Sequence, residues 1–183
     1  MTLVDEQPVV LITGISAAGK STIADLLAHR FDRSVHVKGD VYRRMVVAGR
    51  HDMTSQPSDE AWSHLRLRYR LGAATADAYH EAGFSVVIQD MVIGSALADY
   101  VAAIHSRPLV VVVLTPRPDV VEGREAKRSK IAYREPFNSI RELDNALRRE
   151  TPLIGMWLDN SDQEPHETVD EIIERGLDAG CVE

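Results

Sequence analysis

Gly14-Ile15-Ser16-Ala17-Ala18-Gly19-Lys20-Ser21 sets two glycines around four residues and follows them with Lys-Ser. That spacing is the phosphate-binding P-loop pattern, and its setting decides whether to trust it. Upstream runs Pro8-Val9-Val10-Leu11-Ile12-Thr13, a short apolar, β-branched stretch that reads as a buried strand. Downstream, Ile23, Leu26, Leu27 and Arg30 fall at helical spacing, with an apolar inner face. A glycine-rich turn carrying a solvent-facing lysine is the plainer alternative. Strand, glycine loop and helix in that order favour a nucleotide phosphate site.

Each residue type has a chemical reason. Gly14 and Gly19 let the backbone bend and approach a phosphate with no Cβ in the way. The loop Ser16-Ala17-Ala18 and the helix start Lys20-Ser21-Thr22 would turn backbone N–H groups toward a polyanion, where the helix dipole favours negative charge. Lys20 is placed to reach the β- and γ-phosphates, and Ser21 offers a hydroxyl to Mg²⁺.

The 183 residues suit one domain with a core able to fold without disulfides. A net charge of −7 argues against a general nucleic-acid or membrane-surface binder. A single cysteine, Cys181, allows no intramolecular disulfide and fits a reducing, cytoplasmic setting. The acidic start Met1-Thr2-Leu3-Val4-Asp5-Glu6 is unlike a signal peptide, and no apolar run approaches the ~20 residues of a membrane span. No oligomeric state follows from the sequence.

Five candidate strands (9–13, 34–37, 85–89, 109–114 and 155–158) alternate with helical patterns over 20–31, 58–82, 96–105, 119–128, 139–149 and 167–175. Gly83 and Gly176 sit where helix C-terminal caps belong. The alternation predicts an α/β fold of the P-loop nucleoside-triphosphate-hydrolase type: a five-stranded parallel sheet with helices on both faces, in one domain over 1–183. The polar stretch from Gly49 to Asp59 reads as an exposed loop. In the long middle helix, Trp62, Leu65, Tyr69, Ala73 and Ala76 read as core, and one of Arg66, Arg68 and Arg70 could line a pocket. The histidines show no metal-ligand spacing.

Ligands of such sheets bind beyond the carboxyl ends of the strands, so the residues just after each strand are the candidates. Asp40, after Lys38-Gly39, is either a helix N-cap or a base for an acceptor hydroxyl. Asp90 ends the third strand and is a metal-organising carboxylate, a substrate contact or a solvated strand end. Within 120–137, Arg124 and Arg128, with Arg134 behind them, belong either to a solvated helix or to a mobile lid that closes on the phosphates.

The P-loop, Gly39-Asp40, the strand ending at Asp90 with Gly94 behind it, and Glu122-Gly123-Arg124-Glu125 with Arg128 resemble the chloramphenicol phosphotransferase-like small P-loop kinases. The resemblance covers roughly the first two-thirds of the chain. It implies Mg-ATP as phosphoryl donor and a hydroxyl of a small molecule, an antibiotic among them, as acceptor, with Asp40 activating that hydroxyl. The chain departs from that family at Ser129-Lys130-Ile131, where a Gly-Asp-Arg turn is usual, and across the substrate-facing middle. Gluconate and shikimate kinases share the fold, but no second aspartate pairs with Asp40. The expectation is a kinase for a small neutral or mildly polar acceptor, not a nucleic acid. The rival is a P-loop switch or ATPase with no acceptor.

Overall fold

A computed structural model describes residues 2–127 and 139–182. Five parallel strands form the sheet: β1 (Val9–Thr13), β2 (Ser34–Lys38), β3 (Ser85–Gln89), β4 (Leu109–Leu114) and β5 (Met156–Leu158). Their spatial order is β2-β3-β1-β4-β5. Every residue of β1, β3 and β4 is buried, which is why these strands are near-continuous Val, Ile and Leu. The edge strand β2 is only partly covered, and it alternates Val35 and Val37 with the polar Ser34, His36 and Lys38.

The helices are α1 (Lys20–Ala28), α2 (Asp40–Met45), α3 (Asp59–Glu81), α4 (Ala96–Ala103), α5 (Pro118–Ala126), α6 (Ile140–Glu150) and α7 (Pro165–Gly180). Helices α1 and α7 pack together on one face of the sheet, while α3 and α4 cover the other. The chain crosses over from β1 outward to β2 and then returns through β3 past β1 to β4. Because crossovers are right-handed, that reversal opens a crevice at the carboxyl end of β1, where the P-loop lies.

Several boundaries differ from the sequence reading. Helix α1 stops at Ala28 rather than Phe31. Gly83 does take a positive φ of 85° after α3, as a C-terminal cap requires. Gly176 does not cap. Helix α7 runs on to Gly180, and Gly176 and Gly180 instead let it lie against Val110 of β4. After it, Cys181–Val182 form a short strand, β6, antiparallel to β4 at Leu109 and Val110. The sheet therefore has a sixth strand that the sequence reading did not include. Gly155 lies outside β5, at φ 73°, because a Cβ there would overlap the Val111 carbonyl. On α3, Tyr69, Ala73 and Ala76 are core as expected, but Leu65 is half-buried and Trp62 is 42% exposed. The segment 46–58 is largely exposed, in keeping with the expected loop.

Candidate functional site

The P-loop turns sharply from β1 into α1. Gly14 sits at φ 144°, and a Cβ there would come within 2.6 Å of the Leu114 carbonyl oxygen, so neither the backbone angle nor the space admits a side chain. Gly19 precedes α1 at φ 101° and offers no side-chain cap, leaving the helix N-terminal amides unclaimed by any cap. Ala17 also has a positive φ, 62°, a strained angle for a residue with a Cβ. The Thr13 hydroxyl donates to Val92 O at 3.1 Å and accepts from Val92 N at 2.9 Å, tying the loop's root to the segment after β3.

Lys20 donates through Nζ to Ile15 O at 2.6 Å, so its ammonium is folded over the loop itself. The Ser21 hydroxyl donates to Gln89 Oε1 at 3.1 Å. Arg124 reaches the loop from α5: one Nη1 bond of 3.2 Å goes to Ala18 O and one Nη2 bond of 3.0 Å to Asn160 O. Asn160, after β5, also donates to Ala18 O at 3.2 Å, and its buried Oδ1 has no partner. Arg128 and Arg134 lie outside the described residues.

Asp40 is the first residue of α2, with Gly39 at the cap position, so it does not serve as a side-chain N-cap. Its carboxylate accepts from Arg43 Nε at 2.9 Å and pairs with Arg44 Nε at 3.1 Å. Arg43 also donates to Asp52 at 3.0 Å, which ties the exposed loop to α2. Burial pushes the Asp40 pKa up, but the hydrogen bond from Arg43 and the charges of Arg43, Arg68 and Arg44 outweigh it. The group is held below the ordinary carboxylate range.

Asp90 does not face Ser21. Its side chain has no exposed surface and is clamped by Arg68, which donates through Nε at 2.9 Å to one oxygen and through Nη2 to the other. The Met91 amide adds a bond of 2.7 Å. Gly39 is the floor of this arrangement, since any Cβ there would overlap the Asp90 carboxylate. A strand-end carboxylate in this state is already paired with a cation, and the group hydrogen-bonded to Ser21 is the neutral amide of Gln89. Of the three arginines on the middle of α3, Arg68 is the one that lines the cleft. Sequence reasoning left it unresolved, although a signal was present. Ala61, Leu65, Arg68 and Gly72 share one helical stripe, and an arginine on such a face requires a buried carboxylate.

These groups open onto a single cleft of about 1980 Å³. Its wall includes the P-loop, Arg124, Lys127 and the 160–165 segment, together with Asp40, Arg43, Asp52, Trp62 and Arg68. The P-loop, its open amides and Lys20 fit a nucleoside triphosphate. For Mg²⁺, Ser21 fits as a hydroxyl ligand, with the remaining positions left to phosphate oxygens and water. Among the described residues no cluster of three metal-ligating His, Cys, Asp or Glu side chains exists. No helix among the described residues is long and apolar enough to cross a membrane.

Residues 9–153 match the family described as an AAA domain. The chain belongs to that AAA domain family. Its sequence is 32% identical over 85 residues to a cytidylate kinase of Shewanella sediminis, across 46% of this chain and 36% of that protein. This AAA domain thus spans only about a third of that curated relative. In structure it is similar to a sugar kinase from Janibacter sp. HTCC2649, with TM-score 0.68 and 20% identity, over 95% of this chain and 96% of that one. It is also similar to the tunicamycin resistance protein of Deinococcus radiodurans, with TM-score 0.65 and 16% identity, over 97% and 99% of the two chains. At such identities the likeness establishes the fold, a P-loop α/β sheet shared with kinases.

Proposed function

We propose that this protein is an ATP- and Mg²⁺-dependent phosphotransferase that moves the γ-phosphoryl group to a hydroxyl of a small molecule. The observation that carries this reading is the cleft itself. Asp40, held ionised by its arginines, lines it together with the P-loop, which supports an acceptor hydroxyl bound in the same cleft as the nucleotide. A nucleotide switch has no need of such a carboxylate. The fold shared with the sugar kinase and the partial sequence similarity to the cytidylate kinase support the reaction class. The resemblance to chloramphenicol phosphotransferases, together with the fold shared with a tunicamycin resistance protein, supports antibiotics as one class of acceptor to test. The net charge of −7 supports a small acceptor over a nucleic acid.

In the proposed reaction the loop amides and Lys20 hold the β- and γ-phosphates. Mg²⁺, when bound through Ser21, neutralises charge on the phosphates. Asp40 orients the acceptor hydroxyl and takes its proton as the oxygen bonds to the γ-phosphorus and ADP leaves. Arg124, with Arg128, stabilises charge on the transferred group. Asp90 serves through Arg68 rather than as a metal ligand.

Acceptor-stimulated ADP release tests the proposal across hydroxylated antibiotics, sugars and sugar acids, with 5′-hydroxyl oligonucleotides alongside. Stimulation by at least one small hydroxylated compound is expected. Tight ATP binding with no stimulation by any of them would favour the switch, and efficient oligonucleotide labelling would overturn the small-molecule reading.

A further inference from the structure

Arg68 is built differently from the other cations of the acceptor compartment. Arg43 and Arg50 make ion pairs with Asp52, and Arg43 and Arg44 with Asp40, all on side chains that are about a third or more exposed. Arg68 is 16% exposed, and its partner Asp90 is wholly buried. The Asp90 carboxylate accepts from Nε and Nη2, which occupies one edge of the guanidinium. Nη1 makes no hydrogen bond among the described residues, yet it is not one of the buried polar atoms without a partner. It therefore meets the open cleft, whose wall includes Arg68. The charge of Arg68 is felt at Asp40, which places the two groups in one neighbourhood.

We propose that Arg68, clamped from behind by Asp90, is an anion-binding specificity residue, and that the acceptor carries a carboxylate or phosphate group beside its reacting hydroxyl. This deepens the kinase reading and rests on it. A guanidinium held along one edge still presents its Nη1–Nη2 edge, and that fork matches two oxygens of a carboxylate or phosphate. Burial behind Asp90 fixes the plane, so little freedom is lost when the acceptor binds. The surrounding charge agrees. Lys38, Arg43, Arg44 and Arg50 face Asp40 and Asp52 at this end of the cleft, leaving a cationic excess once Asp90 is assigned to Arg68. Trp62 and Leu65 add an apolar wall for the body of the molecule. This replaces the neutral acceptor expected from overall charge, because a net −7 spread over the chain does not describe one compartment.

The test uses wild-type protein saturated with Mg²⁺ and a non-hydrolysable ATP analogue, so that the P-loop is filled and cannot report the added anion. Calorimetry then compares matched pairs: gluconate with glucose, and ribose 5-phosphate with ribose. In at least one pair the anionic member should bind about 10-fold or more tightly. Arg68→Lys keeps a cation against Asp90 but loses the planar fork, and should remove most of that preference. The double variant Arg68→Gln/Asp90→Asn removes both buried charges together and should abolish it while the nucleotide analogue still binds. Equal binding of both members, no binding in any pair, or a preference that survives both variants would overturn the proposal. ADP release on the same compounds keeps the two readings apart. Anion-selective binding without any transfer sinks the kinase reading alone, and transfer to neutral and anionic members alike sinks the role of Arg68 alone.

Discussion

Lys20 and Asp40 are charged groups whose present partners are part of the protein itself. The Lys20 ammonium donates to Ile15 O, and a triphosphate offers it a charge-assisted partner instead. Lys20→Ala should therefore weaken Mg-ATP binding and abolish turnover while the fold survives. Calorimetric titration with Mg-ATP checks this, and equal affinities would show that the loop holds no phosphate. Asp40→Asn should leave ATP affinity nearly unchanged and slow transfer by roughly 10²–10⁴-fold. The pH profile carries a sign as well. Although burial raises the Asp40 pKa, its arginines pull it lower still, so the folded value lies below the ordinary one of about 3.9. A depressed carboxylate stays ionised on acidification until the pH falls through the folded value. The acid limb of kcat/KM, which reports the free enzyme, should thus fall below the ordinary aspartate range, and a limb near pH 6 would mean that another group is the base.

Helix α3 is the element that joins the core to the cleft. One stripe of it carries Arg68 into the cleft, and the next turn brings Gly72 under the hydroxyl of Tyr100. Tyr100 stacks on Tyr69 at 4.9 Å between ring centroids, and its buried hydroxyl has no partner. Burial, only partly offset by the charge of Arg68, pushes the Tyr69 pKa up to about 12, while its hydroxyl donates to Met91 O at 2.9 Å. Two effects oppose each other at Gly72. Alanine would gain up to about 1 kcal/mol of helix propensity. Its Cβ would also overlap the Tyr100 phenol, and overpacking costs about 1–3 kcal/mol. The overlap should win, so Gly72→Ala should lower the urea midpoint. Gly72→Ala/Tyr100→Phe should recover much of the loss, because it removes both the clash and an unpaired buried hydroxyl. A single variant as stable as wild type would show that α3 can shift to make room.

At the scale of the whole molecule, Arg124 fastens three separate parts of the chain: α5, the P-loop and the segment after β5. Its bonds go to main-chain oxygens of Ala18 and Asn160, so it is already at the nucleotide's end of the cleft. Arg124→Ala should raise the apparent KM for ATP and lower kcat together. The arginine shapes the ground-state site and would also meet charge on the transferred group. Steady-state kinetics against ATP at saturating acceptor separates this from Asp40→Asn, which should lower kcat with little change in KM for ATP. Unchanged values of both parameters would leave Arg124 as a structural tie only.

The central strands and the phosphate loop were legible in the sequence, because both depend on local pattern. Strands buried on two faces must be continuously apolar, so β1, β3 and β4 were read with their observed boundaries. The glycines of the loop are dictated by backbone angles that only glycine adopts readily, and Gly14 and Gly19 have them. What the tertiary structure decided is pairing across distance. Asp90 stands at the end of its strand as expected, but whether it faces Ser21 or Arg68 depends on where α3 docks, 22 residues earlier in the chain. Gly176 resembles a cap until α7 continues past it to Gly180, where a Cβ would crowd Val110 and the Val111 carbonyl. Trp62 shares the helical spacing of the core residues, yet its end of α3 faces the cleft rather than the sheet. Periodicity identifies which residues share a face; only packing determines what that face meets.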